Sequence, residues 1–233
     1  MSWLMRSCRW LLEAVWPEQC QNCGAESVDE IASVPGLRPW DRSHLCGACL
    51  RRLCSEPVLS RLPDETPLYG GRVTGEDLVR LVGALKYHGV RGLAGPLGTL
   101  LAAGLVPQAT GMQIEYLIPI PLHRRRRAER GFNQAELLSG VAAGLLGIPV
   151  LTGAVVRLRD TGQQAKLAKE GRSRAENVRG AFRAVHDGNG ARVVLVDDIV
   201  TTGSTVQAAA TVLRGAGWDV VGAAAVAVGA PSS

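Results

Sequence analysis

Hydrophobic positions follow two regimes along the chain. Leu4, Cys8, Leu11, Leu12 and Val15 recur at helical spacing and stop at Pro17, which predicts a short amphipathic helix over 1–17. Residues 20–50 show no period, and residues 51–74, studded with Pro57, Pro63 and Pro67, predict a connector. From about residue 75 apolar runs alternate with helical periods. Helices are predicted over Glu76–Tyr87, Leu93–Leu105, Asn133–Leu146 and Thr205–Gly215, and strands over Glu115–Ile120, Val155–Arg159, Arg192–Val196 and Asp219–Val228. Such alternation predicts an α/β domain, a mostly parallel sheet flanked by helices on both faces. Three units are expected: the first helix, a cysteine-bearing segment over 18–60, and the α/β domain over 61–233.

Two long uncharged stretches, Gly92–Ile114 and Leu137–Val156, raise the question of a membrane span. Pro96, Pro107 and Pro149 and several Gly split each into a helix plus a turn or strand, so no membrane insertion is expected. Arg6, Arg9 and Glu13 interrupt any signal-peptide core, which leads us to expect a cytoplasmic protein. At 233 residues with 46% apolar and 20% charged positions, the chain suits one sizeable core and a small accessory module.

Charge changes the picture. Residues 1–68 carry seven Arg against nine acids, whereas 122–183 carry thirteen Lys or Arg against five acids, more than the whole excess of +5. A focused positive field suits an anionic ligand such as phosphate, pyrophosphate or nucleic acid, the alternative being a solvated basic helix face. Aromatic residues make up only 4%, and three of the five Trp lie in the first sixteen residues, which argues against a stacking platform for single-stranded nucleic acid in the main body.

Cys20, Cys23, Cys46 and Cys49 form C-x2-C-x22-C-x2-C, spacing suited to a four-thiolate structural Zn2+ site. Metal–thiolate bonds substitute for a core that some thirty residues cannot build. Disulfides would need an oxidising compartment, and a redox dithiol needs one pair in a βα setting. His44 and Cys54 are further candidate ligands, while Cys8 on the apolar face of the first helix reads as packing.

The stretch 193–205, VVLVDDIVTTGST, carries the most chemistry. A buried strand of four apolar residues ends in two carboxylates, and a loop of small hydroxyl residues then opens a helix. The C-terminal edge of a parallel sheet is where open α/β folds bind ligands, and such a loop offers N–H groups, hydroxyls and a helix dipole to phosphate. It is not a Walker A loop, since no Lys precedes Ser204-Thr205.

This stretch resembles the phosphoribosyl pyrophosphate (PRPP) signature of type I phosphoribosyltransferases. The resemblance implies that Asp197 and Asp198 are the catalytic acids holding the ribose hydroxyls, and that Thr201, Thr202, Gly203, Ser204 and Thr205 cradle the 5′-phosphate. Further stretches, LKYHG (85–89), IPIPLH (118–123), RGFNQ (130–134) and NVRGAF (177–182), follow the cysteine module as in the ComF family of competence-associated proteins and related GntX-type proteins. That likeness spans roughly residues 4–228 and implies a zinc-binding segment joined to a type I phosphoribosyltransferase domain. Some relatives carry another cysteine pair where this chain has only Cys54, so one zinc is expected.

Loss of pyrophosphate from an anomeric carbon builds positive charge at carbon and negative charge on the leaving group. It calls for Mg2+ with PRPP and for cations at the rim. His123, Arg124–Arg127 and Arg130, after a strand end, are the candidates, although four consecutive Arg cannot all face one site. Lys86 is a second pyrophosphate candidate or a snorkelling helix-end lysine. The polar stretch 161–174 resembles the mobile loop of type I phosphoribosyltransferases, with Gln164, Lys169 and Arg172 within reach of ligand.

Three functions come into question. The first is Mg-dependent phosphoribosyl transfer from PRPP to an unknown acceptor. The second is a partner protein that keeps the PRPP fold and serves DNA uptake, meeting single-stranded DNA or a helicase. Direct nucleic-acid binding with an incidental fold is disfavoured, because the site carboxylates repel phosphodiesters. Type I phosphoribosyltransferases commonly dimerise, and the apolar segments 93–105 and 137–146 suit either a homodimer contact or the core.

Overall fold

A computed structural model describes residues 19–25, 44–54, 57–73, 75–160 and 180–229. The first helix, Cys8 and the loop 161–174 with Gln164, Lys169 and Arg172 lie outside the described residues. In chain order the elements are α1 (Gly47–Cys54), β1 (Val58–Arg61), β2 (Pro67–Val73), α2 (Glu76–Tyr87), a 3-10 turn (Arg91–Leu93), α3 (Ala94–Met112), β3 (Tyr116–Pro119), α4 (Arg124–Arg130), α5 (Gln134–Leu146), β4 (Val155–Arg157), β5 (Phe182–Ala184), β6 (Arg192–Val200), α6 (Ser204–Gly215) and β7 (Asp219–Val228).

The main sheet has the order β1-β2-β7-β6-β3. All its pairings are parallel except the β1/β2 hairpin. Side-chain alternation divides the core into two layers. On β6, Val194 and Val196 join one buried cluster with α2, α3 and α5, while Val193 and Leu195 join the other with α6. A strand buried on both faces must be apolar throughout, which is why 193–196 reads as an unbroken run. Leu93, Leu97, Leu100, Leu101, Leu105, Leu138 and Ala142 sit in the first cluster, so the segments weighed for dimerisation fill this chain's own core. Cys20, Leu45, Cys49 and Leu53 belong to it too, seating the cysteine module on the α/β body.

Several expectations are corrected. The stretch predicted as a connector holds the end of α1 and a hairpin whose second strand enters the main sheet beside β7. Its glycines, which suggest turns, let α3 lie against β2. A Cβ on Gly71 would fall 2.6 Å from the Leu100 carbonyl oxygen, and one on Gly104 would fall 2.8 Å from the Gly70 backbone. Helix α3 runs on through Pro107 to Met112. Strand β4 stops at Arg157 and pairs antiparallel with β5 in a separate two-stranded sheet, after the chain bridges β3 at Val150 and turns at Gly153. The stretch 124–130 is a two-turn helix. Strand β6 continues past both carboxylates to Val200, held in register opposite Val228. No helix among the described residues is long and apolar enough to cross a membrane.

Candidate functional site

The RGFNQ stretch shows how local sequence builds the site. Gly131 ends α4 at φ 77°, a conformation suited to glycine. Asn133, 1% exposed, then caps α5 by accepting from the Ala135 N–H at 3.1 Å, and its amide donates to the Ile120 carbonyl at 3.0 Å. One buried side chain thereby fixes α5 against the segment leaving β3. Gln134, also buried, accepts from the Arg130 guanidinium.

The ends of β3, β4 and β6 and the last turn of α2 enclose an open cleft of about 600 Å3 counted to its solvent mouth. Asp197, Asp198, Lys86, Arg126, Arg130 and Arg157 supply its charged lining. A smaller recess of about 240 Å3, lined by Asp197 and residues 199–206, adjoins it through Asp197, Ile199 and Thr205. In this recess Gly203 has φ 73°, a backbone conformation that favours glycine, and a Cβ there would crowd the Leu62 side chain at 2.4 Å. The β1/β2 hairpin thus supports the loop from beneath. Thr202 and Ser204 hydroxyls lie 3.0 Å apart. Among the described residues no side chain caps α6, which leaves its first-turn N–H groups available to an anion.

The two acids differ. Asp198, 3% exposed, accepts at Oδ1 from the Lys86 ammonium and from the Ile199 N–H, both at 2.6 Å. Its Oδ2 is buried with no hydrogen-bond partner among the described residues. Asp197 accepts from the Asp198 N–H at 2.9 Å. Desolvation first, and then the Asp198 charge, push the Asp197 carboxyl up from 3.8 to about 7, against the pull of Lys86 and Arg157. A carboxyl poised near neutrality beside a phosphate-sized recess is a mark of a functional site.

Of the predicted cations, Lys86 and Arg130 line the cleft, and Lys86 is bound to Asp198. Arg124 is exposed and is not among the residues that line the cleft. A helix distributes four consecutive Arg around its axis, and of the four only Arg126 lines the cleft with Arg130. Arg126 meets Asp160 at 2.9 Å, while Arg125 and Arg127 pair with Glu129 and Glu136 on the surface. Sequence reasoning missed Arg157, Gln134 and Tyr87. Burial presses the Arg157 guanidinium below its ordinary value, opposed chiefly by Asp197, and the group lies 5.3 Å over the Phe182 ring. Nothing near Arg157 in sequence signals this. The i, i+4 spacing of 126 and 130 does become a signal once α4 is recognised as a helix.

The four predicted cysteines converge, with all Sγ atoms within 4.8 Å of one another. Cys23 and Cys46 Sγ lie 3.7 Å apart. A tetrahedral zinc with bonds of about 2.3 Å sets its sulfurs about 3.8 Å apart, so the donor set fits that ion. Burial opposes ionisation of Cys20, but backbone N–H donors of Cys23, Cys46 and Asn22 bring it down to about 6. Burial pushes Cys49 up to about 12, and its sulfur accepts from the Asn22 amide at 3.4 Å. Asn22 in turn accepts from Arg80 on α2, at 2.6 Å through Oδ1 and 3.0 Å through its carbonyl. His44 is not a member of this cluster; its ring lies against Gly92. The Cys54 side chain lies outside the described residues.

A sheet of this order with paired acids on a strand that opens into a phosphate-type loop defines a phosphoribosyltransferase-type domain. The family model for the phosphoribosyl transferase domain matches residues 135–232. The DNA utilization protein YhgH of Salmonella typhimurium is 33% identical over 199 residues, 83% of each chain. Its Escherichia coli counterpart is 35% identical over 200 residues, again 83% of each. Competence protein F of Haemophilus influenzae is 38% identical over 110 residues, 46% of this chain and 47% of that one. The chain belongs to the ComF-type family of phosphoribosyltransferase-domain proteins, with a four-cysteine cluster ahead of the domain.

Proposed function

We propose that the chain binds PRPP and transfers its phosphoribosyl group to an acceptor. The observation that carries this is the placement of Asp197 and Asp198 on β6, where the cleft they line runs directly into the recess at 201–205. Asp197 and Asp198 accept the ribose hydroxyls, residues 201–205 hold the 5′-phosphate, and Arg126, Arg130 and Arg157 face the pyrophosphate. Mg2+ arrives with PRPP as part of that ligand and offsets phosphate charge. In transfer, the bond from ribose C1 to the pyrophosphate oxygen breaks, with its electron pair leaving on pyrophosphate. An acceptor lone pair forms the new bond to C1, and the acceptor's proton passes to the pyrophosphate. The cationic rim stabilises the departing charge where it develops. The cysteine cluster holds one structural zinc, and the protein works in the cytoplasm.

Calorimetric titration of PRPP with Mg2+ tests the site. The wild type should bind, and an Asp197→Asn, Asp198→Asn double variant should lose binding. A folded, zinc-loaded wild type that ignores PRPP would overturn the proposal.

A second reading is ligand binding without turnover, in the service of DNA utilization as the relatives' names suggest. The Lys86–Asp198 ion pair supports it, because Lys86 neutralises an acid the reaction would use. Under this reading PRPP binds but no acceptor elicits pyrophosphate release.

A further inference from the structure

We infer that Arg80 is a positioning residue for Lys86: it ties the helix that carries Lys86 to the four-cysteine module, so that this module sets how Lys86 meets Asp198. This rests on the phosphoribosyl reading above and gives the cysteine module a part in that site. Helix α2 lines the cleft only with its last two residues, and there Lys86 reaches Asp198 at 2.6 Å. Its earlier turns meet the cysteine module. One nitrogen of the Arg80 guanidinium donates to both the side-chain oxygen and the carbonyl of Asn22, at 2.6 and 3.0 Å. Asn22 lies between Cys20 and Cys23, and its amide donates to the Cys49 sulfur at 3.4 Å. Arg80 thus grips the loop that shapes the cluster, about 9 Å along the helix from Lys86.

Two further contacts hold α2 from both ends. In its first turn Asp77 meets Arg52 at 3.4 Å, and Arg52 belongs to α1, the helix that contributes Cys49. Beyond its last turn, the ring of His44, two residues ahead of Cys46, lies so close to Gly92 that a Cβ there would fall 2.1 Å from it. The module therefore touches the segment 77–92 both ahead of Lys86 and behind it. Beneath these contacts Cys20, Cys49 and Leu53 share one buried cluster with Leu78, Leu81 and Leu85 of α2. At its other end the helix presents an ammonium to a carboxylate that is 3% exposed. Solvent screens so buried a pair only weakly, so a small displacement of the helix changes its strength.

The test uses ribose 5-phosphate, which carries the ribose hydroxyls and the phosphate and needs no Mg2+. It is titrated calorimetrically at about pH 7 into the full-length wild type, Arg80→Ala, Arg80→Lys, Lys86→Gln and the Arg80→Ala, Lys86→Gln double variant, with zinc content measured on each. Arg80→Ala should keep its zinc and weaken binding about three-fold or more. Arg80→Lys should restore most of that loss, since a single nitrogen makes both bonds to Asn22. Lys86→Gln should also weaken binding, and on that background Arg80→Ala should add nothing, because residues that act through one another are not additive. The pH at which affinity rises with ionisation of Asp197, which faces Asp198, Lys86 and Arg157, should move up in Arg80→Ala as in Lys86→Gln. Wild-type affinity in Arg80→Ala, or a loss that adds in full to that of Lys86→Gln, would refute the positioning role. So would an Arg80→Ala chain that sheds its zinc, since Arg80 would then support the metal site alone. Failure of ribose 5-phosphate to bind the wild type would instead remove the phosphoribosyl reading, and the positioning role with it.

Discussion

Asp197 offers the sharpest handle on the site. Its carboxyl is raised from 3.8 to about 7 by burial and by the neighbouring Asp198 charge. Ribose hydroxyls donate more strongly to a carboxylate than to a carboxylic acid. Ligand affinity should therefore rise as pH climbs through 7. Between about pH 6 and about pH 8 the ionised fraction of such a group goes from roughly one-eleventh to roughly ten-elevenths, an increase of about ten-fold in binding-competent sites. The phosphate of ribose 5-phosphate also titrates near the lower end of this range, so the informative quantity is the difference between wild type and Asp197→Asn with the same ligand. At about pH 7 the wild type should also release about half a proton on binding, read from calorimetry in two buffers of unlike ionisation heat. Stability runs the other way. Between 3.8 and about 7 the native state keeps a proton that the unfolded chain has lost, so stability falls as pH rises through that window. The ceiling on that loss is about 4 kcal/mol, and Asp197→Asn should flatten it. Because Lys86 pulls the Asp197 value down, Lys86→Gln should move both transitions to higher pH. Matching pH profiles for wild type and Asp197→Asn, in affinity and in melting temperature alike, would refute the reasoning.

Other outcomes follow from features elsewhere. The purified chain should carry about one zinc, and Cys46→Ser should abolish that content by elemental analysis and lower the melting temperature, since Cys20 and Cys49 are part of the core. Arg126→Ala should weaken PRPP binding about ten-fold or more in calorimetry, whereas Arg124→Ala should change it less than about two-fold; the reverse order would displace Arg126 from the rim. Gly104→Ala should cost about 1–3 kcal/mol in urea unfolding, because the new methyl meets the Gly70 backbone and not a side chain that can step aside.

What was legible in the sequence is what is written locally. Helix α2 and strand β7 match their predicted bounds, since the first is a clean helical period and the second a nearly unbroken apolar run. The acids and the phosphate-type loop are contiguous, so no tertiary knowledge is needed to see them together. The hairpin was hidden because Pro67, Gly70 and Gly71 look like turn signals. Two of them are glycine for a different reason, the closeness of α3 and of Val228. Arg126 could not be preferred to Arg124 without the rotation of α4. The Lys86–Asp198 pair joins residues 112 positions apart, which no periodicity can reveal.

The sheet order has a consequence for how this molecule is assembled. The last described strand in sequence, β7, is the middle strand of five in space, with β2 on one side and β6 on the other. Leu68 faces Ala223, so the hairpin formed early in the chain waits more than a hundred and fifty residues for its neighbour. A nascent chain that ends between residues 200 and 219 holds two half-sheets, β1-β2 and β6-β3, with no strand to join them. The cysteine cluster, packed on the same core, has no complete body to sit on until then. Losing the final ten strand residues would thus split the protein down its centre and not merely trim an edge. Chaperone capture of the nascent chain is to be looked for in that interval.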